Sequence, residues 1–478
     1  MLYMELIERH ISLDYIILSN GKEELTYREL DARVRELAEQ MRELGVEAGM
    51  RVLIRNENTI GTVVEILACI YLHVCFIPFN ETATEEQLRY MIEDSQASLL
   101  IDHKGSGYKQ LKLKILDKSF AEEDELVYII YTSGSTGTPK GVMASCKQVM
   151  FCVSAINERL HNGPKDRILC ALPLSFDYGL YQLFLALWYG AKLVLLHNPM
   201  MQQIPAILKR EQITAFPAMP AMLQMMLKTG LLQRVTLSEL RYISSTGDDF
   251  PVELIRCIHN LFPHIFVFPM YGLTECKRVS IMPENRWDKI WEGSCGTPLM
   301  GTEVYLEHVT EDGIGELVVR GLNVMEGYWN DEGAEHAFFE DTEGRKCLRT
   351  GDYFRIDTEG FLYFCGRKKR ILKTNGYRIS CVELETYLKD HLKEMAEDVR
   401  IVGIPSEMVG DSIVVCIHSQ KEIECLQEQL GKIVLGLPQY QRPHSLYCTK
   451  DAFPLNANGK IDDNGLRENI EVNELYSI

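Results

Sequence analysis

No apolar run in this chain approaches the roughly 18 residues that would cross a bilayer, so a membrane span is not expected. The opening residues, Met1-Leu2-Tyr3-Met4-Glu5-Leu6-Ile7-Glu8-Arg9, carry acids early and no basic stretch leading into an apolar one, which argues against a secretory signal. The 14 cysteines include no Cys-x-x-Cys pair, so metal-ligand and disulfide readings have no spacing behind them. The expectation is buried thiols kept reduced in a cytoplasm. An excess of positive charge is also missing. The formal net charge is −18, which argues against non-specific binding to nucleic acid. No internal repeat or low-complexity segment is visible, so solenoids and disordered tracts are set aside.

What is present is an ordinary globular composition, 46% apolar and 25% charged, in a chain of 478 residues. That length exceeds one core, and two or more domains are expected. Thr26 precedes Glu29 by three residues, a capping-box pattern. Leu30, Val34, Leu37, Ala38, Met41 and Leu44 follow at helical spacing, and Gly45 and Gly49 close the run. Residues 51–54 read as a strand, 60–71 as a more buried helix and 75–78 as the next strand. Similar strand-like runs recur at 167–171, 192–196 and 266–268. Alternation of this kind predicts layered α/β structure. From Gly296 to Phe364 short alternating segments and frequent glycines predict a β-rich subdomain.

The most informative stretch is Tyr131-Thr132-Ser133-Gly134-Ser135-Thr136-Gly137-Thr138-Pro139-Lys140. It follows an unbroken apolar run at 126–130 that reads as a buried strand. Glycines let the backbone approach a ligand, exposed N–H groups and hydroxyls form a concave anion site, and Lys140 adds a positive charge. A polyphosphate suits such a site. The Walker A loop fails on spacing, because Lys140 follows Pro139 and precedes Gly141.

Three further motifs extend the pattern. In Tyr271-Gly272-Leu273-Thr274-Glu275, a tyrosine face can stack on a purine and a carboxylate four residues on can hold Mg²⁺. In Arg349-Thr350-Gly351-Asp352, a carboxylate can accept from two ribose hydroxyls, with Arg367 following Gly366 further on. Near the end of the chain stands Pro454-Leu455-Asn456-Ala457-Asn458-Gly459-Lys460.

Taken in order, these motifs resemble those of the adenylate-forming superfamily: acyl-CoA synthetases, adenylation domains of nonribosomal peptide synthetases, and luciferases. The resemblance runs from the Leu25 region to the Lys460 region. It implies an α/β protein with a large N-terminal domain of layered sheets (1–368) and a small, mobile α+β C-terminal domain (369–478) hinged at Lys369, within the basic cluster Arg367-Lys368-Lys369-Arg370. It implies ATP and Mg²⁺ as cofactors. Thr132, Ser133, Gly134, Ser135, Thr136, Gly137, Thr138 and Lys140 would hold phosphate. Tyr271 and Gly272 would face adenine, Thr274 would touch phosphate, Glu275 would bind metal, and Asp352 and Arg367 would hold the ribose. Lys460 would bridge the substrate carboxylate and the α-phosphate. Asn375-Gly376-Tyr377-Arg378-Ile379-Ser380 would line the thiol tunnel, with Cys381 where the family often has proline, and a helix starting at Glu383.

The acid pocket aligns with Asp177, Tyr178, Tyr181, Pro217, Thr246, Met270, Arg278 and Val279. Asp177 either pairs with a substrate ammonium, or caps a helix or holds local backbone. Arg278 either recognises a second carboxylate or polar tail or faces solvent. Two departures matter. Leu273 stands where peptide-synthetase domains usually carry proline, and Pro269 where they carry asparagine. The implied activity is ATP-dependent activation of a carboxylic acid, with an amino acid favoured. Transfer to the phosphopantetheine thiol of a free-standing carrier protein would follow, since no Gly-x-Asp-Ser-Leu-like carrier segment follows Lys460. An acyl-CoA ligase for a fatty or aryl acid and a non-catalytic nucleotide-binding relative are the alternatives.

Overall fold

The computed structural model describes residues 1–102, 107–110, 125–132, 139–197, 200–248, 250–330, 337–367, 370–374, 377–406, 410–437, 441–443, 445–455, 461–473 and 475–477. Ser133, Gly134, Ser135, Thr136, Gly137, Thr138, Lys369, Asn375, Gly376 and Lys460 lie outside the described residues. By its internal contacts the chain divides into two compact units. One comprises Met1–Tyr305, Val318–Thr350 and Ile356–Tyr363, and the other Leu306–Leu317, Gly351–Arg355 and Phe364–Ile478.

In the first unit, seven strands form one sheet in the order Gly327–Tyr328, Lys140–Ser145, Leu126–Thr132, Cys75–Asn80, Arg51–Asn56, Leu99–Asp102 and Gly107–Gln110. Its central strands run parallel. Arg51–Asn56 is buried along its whole length, as a strand covered on both faces must be. A second sheet has nine strands. Its parallel centre runs through Ile16–Ser19, Lys192–Leu195, Arg167–Cys170, Ala215–Pro217, Tyr242–Ser245 and Phe266–Tyr271. Antiparallel strands flank both ends.

The helices obey their sequence signals. Thr26 and Glu29 form both halves of a capping box on helix Tyr27–Glu43, which buries Leu30, Val34, Leu37, Ala38 and Met41. Helix Ile60–Tyr71 is buried on nearly every side, as its apolar composition requires. Between 297 and 367 the described residues contain strands and no α-helix, consistent with the β-rich reading.

In the second unit the hairpin Asp398–Ser406 and Gly410–His418 joins Ile371–Thr374, Tyr377–Ser380, Ser445–Thr449 and Tyr476–Ser477 in a six-stranded sheet. Helices Cys381–Leu392 and Ile423–Val434 contribute Leu384, Leu388, Leu426 and Leu430 to its core. The cysteines are mostly buried. Cys257 and Cys425 are exposed, one in each unit, and Cys295 and Cys448 are half-buried. No described helix is long and apolar enough to cross a membrane.

Candidate functional site

Strand Leu126–Thr132 carries the chain to the phosphate-loop motif, and Lys140 opens the returning strand. Thr132 Oγ1 donates to the Lys140 carbonyl at 3.4 Å, closing the loop at its base. The Lys140 ammonium lies 4.9 Å from the ring centre of Tyr328, a cation–π distance. The Tyr328 hydroxyl in turn donates to Glu275 Oε1 at 2.7 Å. Two backbone bonds hold this arrangement from opposite sides, Met325 N–H to the Glu275 carbonyl at 2.9 Å and Trp329 N–H to the Gly141 carbonyl at 2.7 Å. One tyrosine thus joins the lysine of the phosphate motif to the carboxylate of the Tyr-Gly-Leu-Thr-Glu motif.

Tyr271 ends strand Phe266–Tyr271, and the chain turns back at once to pair Ser280 with Tyr271. Gly272 makes that return possible. A Cβ there would sit 1.7 Å from the Lys277 carbonyl oxygen, so no side chain fits. Lys277 takes a left-handed conformation (φ 54°), an uncommon one for a non-glycine residue. The Asn323 amide donates to the Cys276 and Arg278 carbonyls at 3.2 and 3.3 Å, fixing the turn from outside.

Helix Asp177–Tyr189 opens onto the same region. Gly179 lets its first turn press on the preceding loop, since a Cβ would meet the Pro173 carbonyl oxygen at 2.2 Å. Asp177 is only 5% exposed. The cap position belongs to Phe176, and no side chain caps the helix, so Asp177 is not spent on capping. The Tyr178 hydroxyl is 2.8 Å from Ser244 Oγ, and that of Tyr181 is 3.3 Å from Tyr128 Oη. Burial pushes the Tyr178 phenol up to about 12, with the Arg278 charge pulling the other way. Thr246 Oγ1 is buried with no hydrogen-bond partner among the described residues. Pro217, Met270 and Val279 are buried apolar neighbours on adjoining segments.

Two cations sit with them. Arg278 is 5% exposed and therefore does not face solvent; its guanidinium carbon lies 4.7 Å from the ring centre of Tyr178. Lys277 is 1% exposed, with its ammonium 4.9 and 5.8 Å from the ring centres of Tyr128 and Tyr181 and no hydrogen-bond partner among the described residues. Burial pulls the Lys277 ammonium below its ordinary range, against the charge of Asp177.

In the second unit Asp352 is 2% exposed and Arg367 Nε lies 3.2 Å from its Oδ1, so these two candidates meet. Arg370, the last of the four clustered basic residues, is buried and not a solvated surface charge. It pairs with Glu385 and, at 3.1 Å, with Asp463, to which Arg400 also donates at 2.8 and 3.0 Å. Burial raises the Asp463 carboxyl, but the bond from Arg400 and the charges of Arg370 and Arg400 outweigh it and hold it below the usual carboxylate range.

A model described as AMP-binding enzyme matches residues 8–329. The chain belongs to the AMP-binding enzyme family. Among curated relatives, this AMP-binding enzyme is 28% identical to bacitracin synthase 1 of Bacillus licheniformis over 95% of the chain but 9% of that protein. It therefore spans about a tenth of the length of such synthetases. It is 27% identical to the L-proline–[L-prolyl-carrier protein] ligase of Pseudomonas fluorescens, with 94% of each chain covered. Among solved structures it resembles the o-succinylbenzoate CoA synthetase (MenE) of Bacillus subtilis in complex with the acyl-adenylate intermediate, at TM-score 0.83, 26% identity and 99% coverage of both chains.

Two residues of this AMP-binding enzyme escape sequence reasoning. Tyr328 lies 53 residues from Glu275, and its one local signal is a Gly-Tyr-Trp run inside a β-rich stretch. Lys277 sits in a turn, where a lysine ordinarily reads as solvated.

Proposed function

We propose that this chain activates an amino acid as its acyl adenylate, releasing pyrophosphate, and passes the acyl group to a phosphopantetheine thiol of a carrier protein. The observation that supports the reading is the meeting of Lys140 and Glu275 on Tyr328, which links two motifs far apart in sequence. The proline–carrier protein ligase, matched over nearly its whole length, supports the choice of acceptor. ATP is the nucleotide of this reading.

Glu275 fits as a holder of Mg²⁺. It is half-buried, one of its oxygens is fixed by Tyr328, and no three His, Cys, Asp or Glu residues cluster as ligands among the described residues. Mg²⁺ generally takes one or two carboxylates together with phosphate oxygens and water. When bound, it would neutralise phosphate charge.

The chain's own residues would do the rest. Asp177 would take the ammonium: it is buried, no side-chain hydrogen bond to it is seen among the described residues, and a buried carboxylate favours a positive charge beside it. Tyr271 would stack on the base. Asp352 and Arg367 would hold the ribose. Lys460, on a C-terminal domain taken to begin at Lys369, would offset charge on the carboxylate and α-phosphate as it develops.

Leu273 and the likeness to an acyl-CoA synthetase favour a second reading, a CoA ligase for a non-amino acid. Pyrophosphate exchange with amino acids beside their deaminated analogues separates the two. The amino acid should be strongly preferred, and that preference should vanish in Asp177→Ala. An unchanged preference for a deaminated acid would favour the CoA ligase. Binding of ATP with no exchange from a broad acid panel would favour a non-catalytic role.

A further inference from the structure

Two cations are buried beside the first turn of the Asp177 helix. Lys277 and Arg278 are consecutive, both nearly inaccessible, and both stacked on tyrosines facing the Asp177 helix turn. Among the described residues the Lys277 ammonium makes no hydrogen bond, and the one side-chain bond from Arg278 goes to the Lys277 carbonyl at 3.2 Å. Neither cation has a carboxylate within ion-pair distance among the described residues. Asp177 and Glu275, whose charges both act on Lys277, are assigned to the substrate ammonium and to metal.

With those assignments both carboxylates are occupied, and two buried cations remain. A buried charge without a counter-charge costs several kcal/mol, so such a pair is expected to meet an anion when the site is filled. Arginine offers a planar fork and lysine a point charge, a combination that suits a carboxylate. The ring centres of Tyr128, Tyr178 and Tyr181 each lie within 5.8 Å of one of the two cations, and crowding of this kind favours a short molecule.

We propose that the activated acid carries a second anionic group, gripped by Lys277 and Arg278, so that the substrate is a short acidic amino acid. The inference rests on the activation reading above and specifies its substrate class. Asp177 selects the amine, Lys277 and Arg278 select the distal carboxylate, and the remaining carboxylate faces the nucleotide.

The test is calorimetric binding to the full chain of L-aspartate against L-asparagine and of L-glutamate against L-glutamine, pairs that differ in charge and hardly in shape. At least one acidic member should bind about 100-fold more tightly than its amide, because the site's buried polar groups are otherwise left unpaired. Lys277→Met and, independently, Arg278→Gln should each cut that ratio below about tenfold, while Lys277→Arg keeps most of it. In pyrophosphate exchange the loss should fall on KM more than on kcat. Two variants at separate positions guard against one that fails to fold. Equal binding of acid and amide, binding of neither, or a ratio unchanged in both variants overturns the inference. Exchange with neutral amino acids and no charge selectivity would overturn it while leaving the activation reading in place. Charge-selective binding without exchange would overturn the activation reading alone.

Discussion

Tyr328 concentrates much of the proposed chemistry in one hydroxyl. Tyr328→Phe keeps the ring under Lys140 but removes the bond that orients Glu275. Hydrogen bonds to charged groups contribute about 1.5–3 kcal/mol. The variant should therefore lose about tenfold or more in kcat, with the acid's KM and the melting temperature nearly unchanged. A rise in KM with kcat preserved would show that the hydroxyl serves substrate binding instead. Gly272→Ala is expected to behave differently. Its methyl would collide with the Lys277 backbone, so the turn must open at a cost of about 3 kcal/mol, visible as a lower denaturation midpoint together with lost activity. Candidates for nucleotide contact can be read locally, since phosphate, purine and ribose each demand a residue type at a set spacing. Tyr271, Glu275 and Asp352 are candidates of that kind. Tyr328 and Lys277 are not. Their roles depend on partners brought close by tertiary structure, and nothing local separates Lys277 from a surface lysine.

At the level of elements, helix Cys381–Leu392 is tied to its sheet by buried ion pairs. Glu385 meets Arg370 and accepts from the Ile401 N–H at 2.7 Å. Glu385→Ala would leave Arg370 largely buried with one acidic partner fewer, and should cost about 3 kcal/mol. Hydrogen exchange along this helix is the direct readout, with faster exchange expected there than in the first unit. The Asp463 carboxyl is depressed in the folded chain, so its stabilising contribution is fully present above its unfolded pKa and is lost as pH falls through the folded one. Protection of the helix should therefore weaken as pH drops below about 4, and Asp463→Asn should remove that part of the slope. An unchanged slope in the variant would assign the acid sensitivity to other carboxylates. Elements of the first unit were legible in sequence because capping and apolar period agree there, as at Thr26, Glu29 and Leu30. Burial of Arg370 was not, because its acidic partners Glu385 and Asp463 are distant in sequence and a run of four basic residues ordinarily reads as solvated.

For the whole molecule, the proposed division of labour makes Lys460 necessary for one half-reaction only. Lys460→Ala should abolish pyrophosphate exchange yet leave thiol transfer from a supplied acyl adenylate within about tenfold of normal. Equal loss of both steps would argue that the lysine is structural. The distribution of cysteines has a separate consequence. Cys257 and Cys425 are exposed, one on each unit, whereas both units also carry sequestered thiols, Cys75, Cys152 and Cys170 in the first and Cys381 in the second. Burial pushes each of these four up to about 12, so the attacking thiolate is scarce as well as out of reach. The untreated protein should thus work as its own chemical clock. A disulfide reagent would consume Cys257 and Cys425 first and the half-buried Cys295 and Cys448 next, and the later uptake would then time the opening of each unit, with digestion and mass analysis assigning every tick to its cysteine.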